Sequence, residues 1–402
     1  MKAAWVLGLG VGVGVLMGCL GVAKGEDVDD VEEPAPGFSL LMEPINTRLT
    51  LSGFFQADVI HDHGRIETPT DFVTAAIVTG NDEDSTVPDR ETGVSINATK
   101  FIVEGETSLW GRTIATHLSM DFFGDSLRRV PNVLWRQAYM ELEGMVFGGD
   151  LLLGKAWTTF TDVDAWPATL DYEGPSSSLQ TLHPIARWTR GLGGRFRTEW
   201  ALEKPDNHDL EGAESLDRWP DLVVTVAKRE GAGTNHVKVA GVLRDLRGEG
   251  SRGRRSSSLG WGVASTGRLS PSFLPARDVV TYGAAAGAGI GAFFDDEPPD
   301  AVFNEDTGEL ETLRSFGYYL GYQHYWTDRW SSTLSYGEVR VDNREVEDDN
   351  AYRRGRYFSM NLVWQPTAWW MTGVEFLRGK REDKNGKDGT DSRVQFSVRY
   401  SF

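Results

Sequence analysis

Apolar and polar residues alternate strictly at the end of the chain. Val394, Phe396, Val398, Tyr400 and Phe402 are interleaved with Arg393, Gln395, Ser397, Arg399 and Ser401. A period of two sets the first group on one face of a strand and the second on the other. Upstream, Ile114, Leu118, Met120 and Phe122 oppose His117, Ser119 and Asp121. Phe196, Trp200 and Leu202 oppose Arg195, Arg197 and Glu199, and Leu222, Val224 and Val226 oppose Thr225 and Arg229. The pattern predicts strands over 47–60, 95–109, 112–123, 133–147, 150–160, 184–191, 194–203 and 221–230. It continues over 234–247, 257–269, 279–294, 312–327, 329–341, 352–365, 369–379 and 391–402. A half-buried strand of a soluble sandwich would alternate in the same way, so the period alone leaves the architecture open.

The connections narrow it. Short links at 110–111, 148–149, 191–194, 230–233, 326–329 and 365–367 are separated by long polar stretches. Those stretches span 62–94, 162–183, 204–220, 295–311, 342–350 and 380–390. Short turns on one rim and long loops on the other, with an even strand count, form the pattern of a bacterial outer-membrane barrel. The aromatic Phe402 resembles the terminal residue of such barrels, where it serves as an insertion signal. Lipid explains the polarity of the faces: an arginine at the bilayer midplane costs about 2–4 kcal/mol, so basic residues turn to the lumen. Backbone groups find no water in hydrocarbon, which forces the sheet to close. Trp326, Trp330, Trp364, Trp369 and Trp370 crowd the short turns, where an interfacial girdle belongs. The expected fold is all-β: a transmembrane antiparallel β-barrel of about 16 strands over 47–402, preceded by a periplasmic lead-in over 24–46.

Composition agrees. A mean hydropathy of −0.35 is too polar for a bundle of membrane helices. The one long apolar stretch, 3–22 behind Lys2, reads as a secretory signal within residues 1–23, cleaved after Ala23 with Gly21 at the −3 position. Processing at Cys19, the only cysteine, is the alternative. The net charge of −18 argues against a nucleic-acid partner. Catalytic, metal and cofactor motifs are not expected: there is no Gly-x-Ser-x-Gly, and Asp383-Lys384-Asn385-Gly386 departs from a calcium loop at Lys387 and Asp388. The acidic runs 295–300 and 345–349 fall on predicted outer loops as solvated charge, or as ligands for divalent ions shared with lipopolysaccharide. The small residues of 283–291 suggest a curved strand, or room for a neighbouring element or protomer.

One segment is more specific. Leu153-Gly154-Lys155-Ala156-Trp157-Thr158-Thr159-Phe160-Thr161-Asp162 runs into Asp164-Ala165-Trp166-Pro167-Ala168-Thr169-Leu170-Asp171-Tyr172-Glu173-Gly174-Pro175, and Pro184 precedes Arg187-Trp188-Thr189. This resembles the DcaP-like family of trimeric outer-membrane porins, in its Gly-x-x-Trp-x-x-Phe-x-Asp strand, the Asp-Ala-x-Pro-x-Thr-x-Asp-x-x-Gly-Pro loop and the Pro-x-x-Arg-aromatic-Thr opening of the next strand. The resemblance implies a 16-stranded homotrimer whose third long loop folds into the lumen as a constriction, and uptake of small anions such as dicarboxylates. Leu182-His183 stand where that family usually carries Arg-Gln, and 26–44 shows no coiled-coil heptads.

Strand parity gathers Lys100, Arg187, Arg195, Arg197, Arg229, Lys238, Arg244, Arg268, Arg393 and Arg399 on the lumen side. Glu104, Glu106, Asp121, Glu141, Glu143 and Glu199 share it. Rings of arginine and lysine bias a pore toward anions. Arg187, Arg195 and Arg197 make the candidate anion ladder, since a guanidinium fork takes a carboxylate through two hydrogen bonds. Asp162, Asp164, Asp171 and Glu173 are the acids of the constriction loop, setting up a transverse field or anchoring the loop by salt bridges. The function expected is passive, size- and charge-filtered diffusion of small hydrophilic solutes across the bacterial outer membrane. Its partners would be membrane lipid, lipopolysaccharide and small anionic solutes. The alternative is a closed-lumen receptor or adhesion barrel that binds a partner through its loops.

Overall fold

A computed structural model describes residues 37–42, 46–82, 85–124, 131–204, 209–216, 218–230 and 235–402. The signal segment and its two processing positions lie outside them. Sixteen strands form the wall. They are β1 (Thr47–Asp62), β2 (Lys100–Leu109), β3 (Arg112–Asp121), β4 (Leu134–Val146), β5 (Gly149–Trp157), β6 (Leu182–Gly193), β7 (Phe196–Glu203) and β8 (Asp221–Glu230). The ring continues through β9 (Asn235–Gly250), β10 (Arg255–Leu269), β11 (Val279–Ala288), β12 (Arg314–Tyr325), β13 (Trp330–Asp342), β14 (Tyr352–Thr367), β15 (Trp370–Asp383) and β16 (Asp388–Ser401). Each pairs antiparallel with the next, and β16 returns to β1 from Phe54↔Ser401 to Asp62↔Arg393. Closure removes the free edge that hydrocarbon would not tolerate.

The two faces separate as the alternation requires. On β16, Val394 and Phe396 are exposed outward, while Arg393, Gln395 and Ser397 are buried inward. The tightest turns use residues with positive φ, as two-residue hairpins demand: Trp110 (53°) with Gly111 (71°), and Phe147 (49°) with Gly148 (72°). Aromatics gather at that rim, with Trp330 6.2 Å from Trp364 and Trp369 5.9 Å from Tyr400, ring to ring.

The lumen departs from a simple wet cylinder. Three inserts carry apolar side chains inside. Phe72 and Ile77, from the long link after β1, pack on Tyr357 and Leu377. Phe160 and Leu179, between β5 and β6, join Ile290, Phe293 and Phe294, between β11 and β12, in one cluster with inward residues of β5 to β11. Small wall residues make the room. A Cβ on Gly262 would meet Ile290 at 2.8 Å, and one on Gly317 would meet Phe294 at 2.5 Å.

This corrects two readings. The strand expected over 279–294 ends at Ala288, because Gly289 turns at φ +72° and Gly291–Phe293 forms a short 3-10 turn inside the ring. The acidic run 295–300 is accordingly not a solvated outer loop: Asp296 and Asp300 are buried. Short strands with too few residues to alternate were also missed. Phe38–Met42 pairs with the start of β1, and Thr92–Ser95 with its end. Ala213–Ser215 pairs with β9, and Leu210–Glu211, Ala301–Asn304 and Glu309–Thr312 make a small separate sheet.

Candidate solute path through the barrel

Residues 158–181 cross the inside of the ring and bond to wall strands on several sides. At one end, the Thr159 amide donates to Glu203 at 2.6 Å and Asp162 meets His236 at 2.9 Å. Further on, Asn361 donates to the Ala168 carbonyl at 2.9 Å, and the Leu170 and Asp171 amides both donate to Glu375, at 2.8 and 2.7 Å. Tyr172 donates to Asp121 at 2.6 Å, and Ser177 to the Tyr318 carbonyl at 2.7 Å. Prolines 167 and 175 deny the segment a helix, so its backbone groups find these wall partners instead.

The four loop acids have different environments. Burial would raise Asp162, but hydrogen bonds from His236 and Thr266 outweigh it and hold the carboxyl below its ordinary value. Asp164 is open to water and takes Arg229 at 2.9 Å. Asp171 is raised well above the usual range by burial and by the nearby Glu375. Glu173 is raised by burial, against the pull of Arg136. Beside it, burial and Glu173 push Asp295 well above the usual range. Two of the three inserts therefore meet through a pair of buried acids, each of which burial makes harder to ionise.

The basic residues divide similarly. Arg244 is held by Asp221 and Asp300, both at 2.9 Å, and donates to the Gly289 carbonyl at 2.6 Å. Arg393 reaches Asp62 at 2.6 Å and lies over the Phe72 ring. Both are buried and tie an insert to the wall. Arg197 meets Glu199 at 3.1 Å, while Lys238 donates to the Thr161 carbonyl at 2.7 Å and lies 3.4 Å from Glu199. Arg195 is exposed at the short turn, 4.0 Å from Glu230. Arg399 donates to Gln56 at 2.7 Å and stacks over Phe54. Among the described residues, Lys100, Arg187 and Arg268 have no carboxylate within 4 Å.

Parity missed Arg136. Its strand, β4, sets Tyr139 and Glu141 inward, which would turn residue 136 to lipid. A β-bulge opposite Ser119 and Met120 shifts the register, and Arg136 Nε reaches Asp121 at 2.5 Å, beneath the Tyr172 ring. A bulge of this kind leaves no mark on the alternation except the polar residue itself.

Two open spaces flank the crossing segment. One, of about 430 Å³, is bounded by Arg136, Gln180, His183, Arg244 and Phe293. The other, of about 210 Å³, lies between Lys100 and Arg399 on the wall and Trp166 to Pro175 on the loop. Asp162, Asp164 and His236 bring potential metal-ligand atoms within 4.8 Å of one another. Asp162 Oδ2 is already taken by His236 and Thr266 and Asp164 Oδ2 by Arg229, so a guanidinium stands where a cation would have to sit.

A closed antiparallel ring of sixteen strands, greasy outside and charged within, with a loop crossing its lumen, defines an outer-membrane porin. The chain belongs to the DcaP outer membrane protein family, whose model matches residues 67–402. Among solved structures, the outer membrane channel DcaP of Acinetobacter baumannii superposes with TM-score 0.77 at 18% identity, over 89% of this chain and 97% of that one. An anion-selective porin from Comamonas acidovorans gives 0.56 at 12% identity, over 89% and 100%. OmpT of Vibrio cholerae gives 0.55 at 10%, over 89% and 98%. No curated protein matches the chain by sequence. Family and fold are those of porins in the bacterial outer membrane, not of enzymes. The protein provides size-filtered diffusion through its barrel.

Proposed function

We propose that this porin favours small anions, with dicarboxylates among them, and works as a homotrimer exported behind a leader that is removed after Ala23. One observation supports the charge preference above others. Lys100, Arg187 and Arg268 keep lumen-facing charges with no carboxylate within 4 Å among the described residues, whereas Asp162 and Asp164 are already bonded to wall residues. Charges without a direct ion-pair partner, set in the low-dielectric wall of a water-filled pore, bias it most. Lys100 and Arg399 face the smaller of the two open spaces, across from Trp166 to Pro175 of the crossing segment. The Comamonas acidovorans porin, of the same fold, is anion-selective.

His183 does not add to the basic set. It lies 3.3 Å from Glu203 with its ring against Phe293, and so helps seat the inserts. Arg244 and Arg393 likewise brace the wall. Arg187, Arg195, Arg197, Arg229, Lys238 and Arg268 remain as the wall's contribution near the turn rim.

Reversal potential in a planar bilayer under a salt gradient tests the reading. The parent channel is expected to prefer chloride over potassium, and Arg187→Ala with Arg268→Ala to reduce that preference at unchanged folding. A cation-selective parent would remove the proposal. Native mass measurement in detergent reads the trimer and the mature amino-terminus together.

A further inference from the structure

The outward face of β13 to β16 changes character along its height. Cross-strand register sets Leu334, Met360, Phe376 and Val394 in one row. One row nearer the long loops come Tyr336, Phe358, Arg378 and Ser392. Above these lie Glu338, Arg356, Lys380 and Thr390, and then Arg340, Arg354, Glu382 and Asp388. Residues of opposite parity on these strands, such as Val339, Tyr357, Leu377 and Gln395, are buried inside. The charged rows therefore face away from the lumen. They take no part in the solute path.

At the opposite rim the same strands present Trp330, Trp364 and Tyr400. The outer end alone is charged, and basic side chains outnumber acidic ones there on a chain of net charge −18. Two of the basic groups are committed: Arg354 to Glu338 at 2.7 Å and Lys380 to Asp388 at 2.5 Å. Arg356 has only distant acids, Glu338 at 3.7 Å and Glu382 at 4.0 Å. Arg378, exposed directly above the apolar row, has no carboxylate within 4 Å among the described residues.

An outward arginine at the edge of the hydrocarbon is costly unless it meets an anion or water. The edge toward the long loops is the outer leaflet, where phosphates lie at this depth. A guanidinium fork matches a phosphate through two parallel hydrogen bonds. We infer that Arg356 and Arg378, framed by Lys380, bind the phosphorylated headgroup of the outer-leaflet glycolipid.

The test uses full-length protein purified in detergent and native mass spectrometry, with bisphosphorylated lipid A and its dephosphorylated form as probes. The parent is expected to retain the phosphorylated form selectively. Arg356→Gln with Arg378→Gln should weaken that binding by about thirtyfold, at roughly 1 kcal/mol per basic residue, while bilayer conductance stays unchanged. Should that variant fail to fold, Arg356→Lys with Arg378→Lys keeps the charge and loses the forks, and an intermediate weakening is expected. Equal binding of the dephosphorylated form to the parent, or parent-like binding by the variants, would overturn the inference. So would loss of an oligomer with lipid binding intact, which would make these charged rows a contact between copies.

Discussion

His236 Nε2 lies 2.9 Å from Asp162 Oδ2, joining β9 to the segment that crosses the lumen. Thr266 of β10 donates to the same oxygen at 2.7 Å. With the Thr159–Glu203 bond just before it, this corner fixes the start of the loop after β5. Asp162→Ala is expected to loosen 158–181 by about 1–3 kcal/mol, the cost of stranding buried partners. Faster amide exchange confined to that segment, with noisier single-channel current, would bear this out; unchanged exchange would not.

Protonation should tune the fit of the inserts. Burial raises Asp71 to about 7 and Asp296 to about 6. Each holds a proton in the folded chain across a window where the unfolded chain has released it. The stability they contribute is thus complete below about pH 4 and is lost as pH climbs through the raised values. Conductance should therefore grow between pH 5 and pH 8 as the inserts loosen. Asp71→Asn with Asp296→Asn should flatten the slope, and a slope of opposite sign would refute the account.

Arg393 should matter for stability rather than selectivity. Arg393→Ala leaves Asp62 buried without its partner, at a cost of about 3–5 kcal/mol. The temperature at which the barrel unfolds on a gel should drop, while the reversal potential of the surviving channels stays where it was.

Gly317 should act as a spacer. Its missing side chain admits Phe294, so Gly317→Val is expected to push the 289–313 insert from its seat at about 1–3 kcal/mol. A larger unitary conductance with the barrel still folded is the outcome to look for.

The wall was legible from residue order because lipid enforces a strict period of two and closure punishes slips of register. Val394 and Phe396 outward, with Gln395 and Ser397 inward, follow from that alone. The lumen was less legible. Inside a barrel, an inward Arg can stand without a direct ion pair like Arg187 or be a brace like Arg244, and only the position of Asp221 and Asp300 distinguishes them. Nor does alternation show that Ile290, Phe293 and Phe294 leave the wall, since an apolar residue after a strand reads as more strand. Arg136 was hidden by a bulge, and Phe38–Met42 by its brevity.

Phe402 and Gly53 exchange backbone hydrogen bonds in both directions at 3.0 Å, and Phe38–Met42 lines up immediately below on the same strand. The first and last strands of the ring are thus sewn side by side. Until that seam zips, β1 and β16 each carry a row of unanswered amides and carbonyls. Whatever escorts the nascent sheet into the membrane must shield both borders for the whole interval between export and closure.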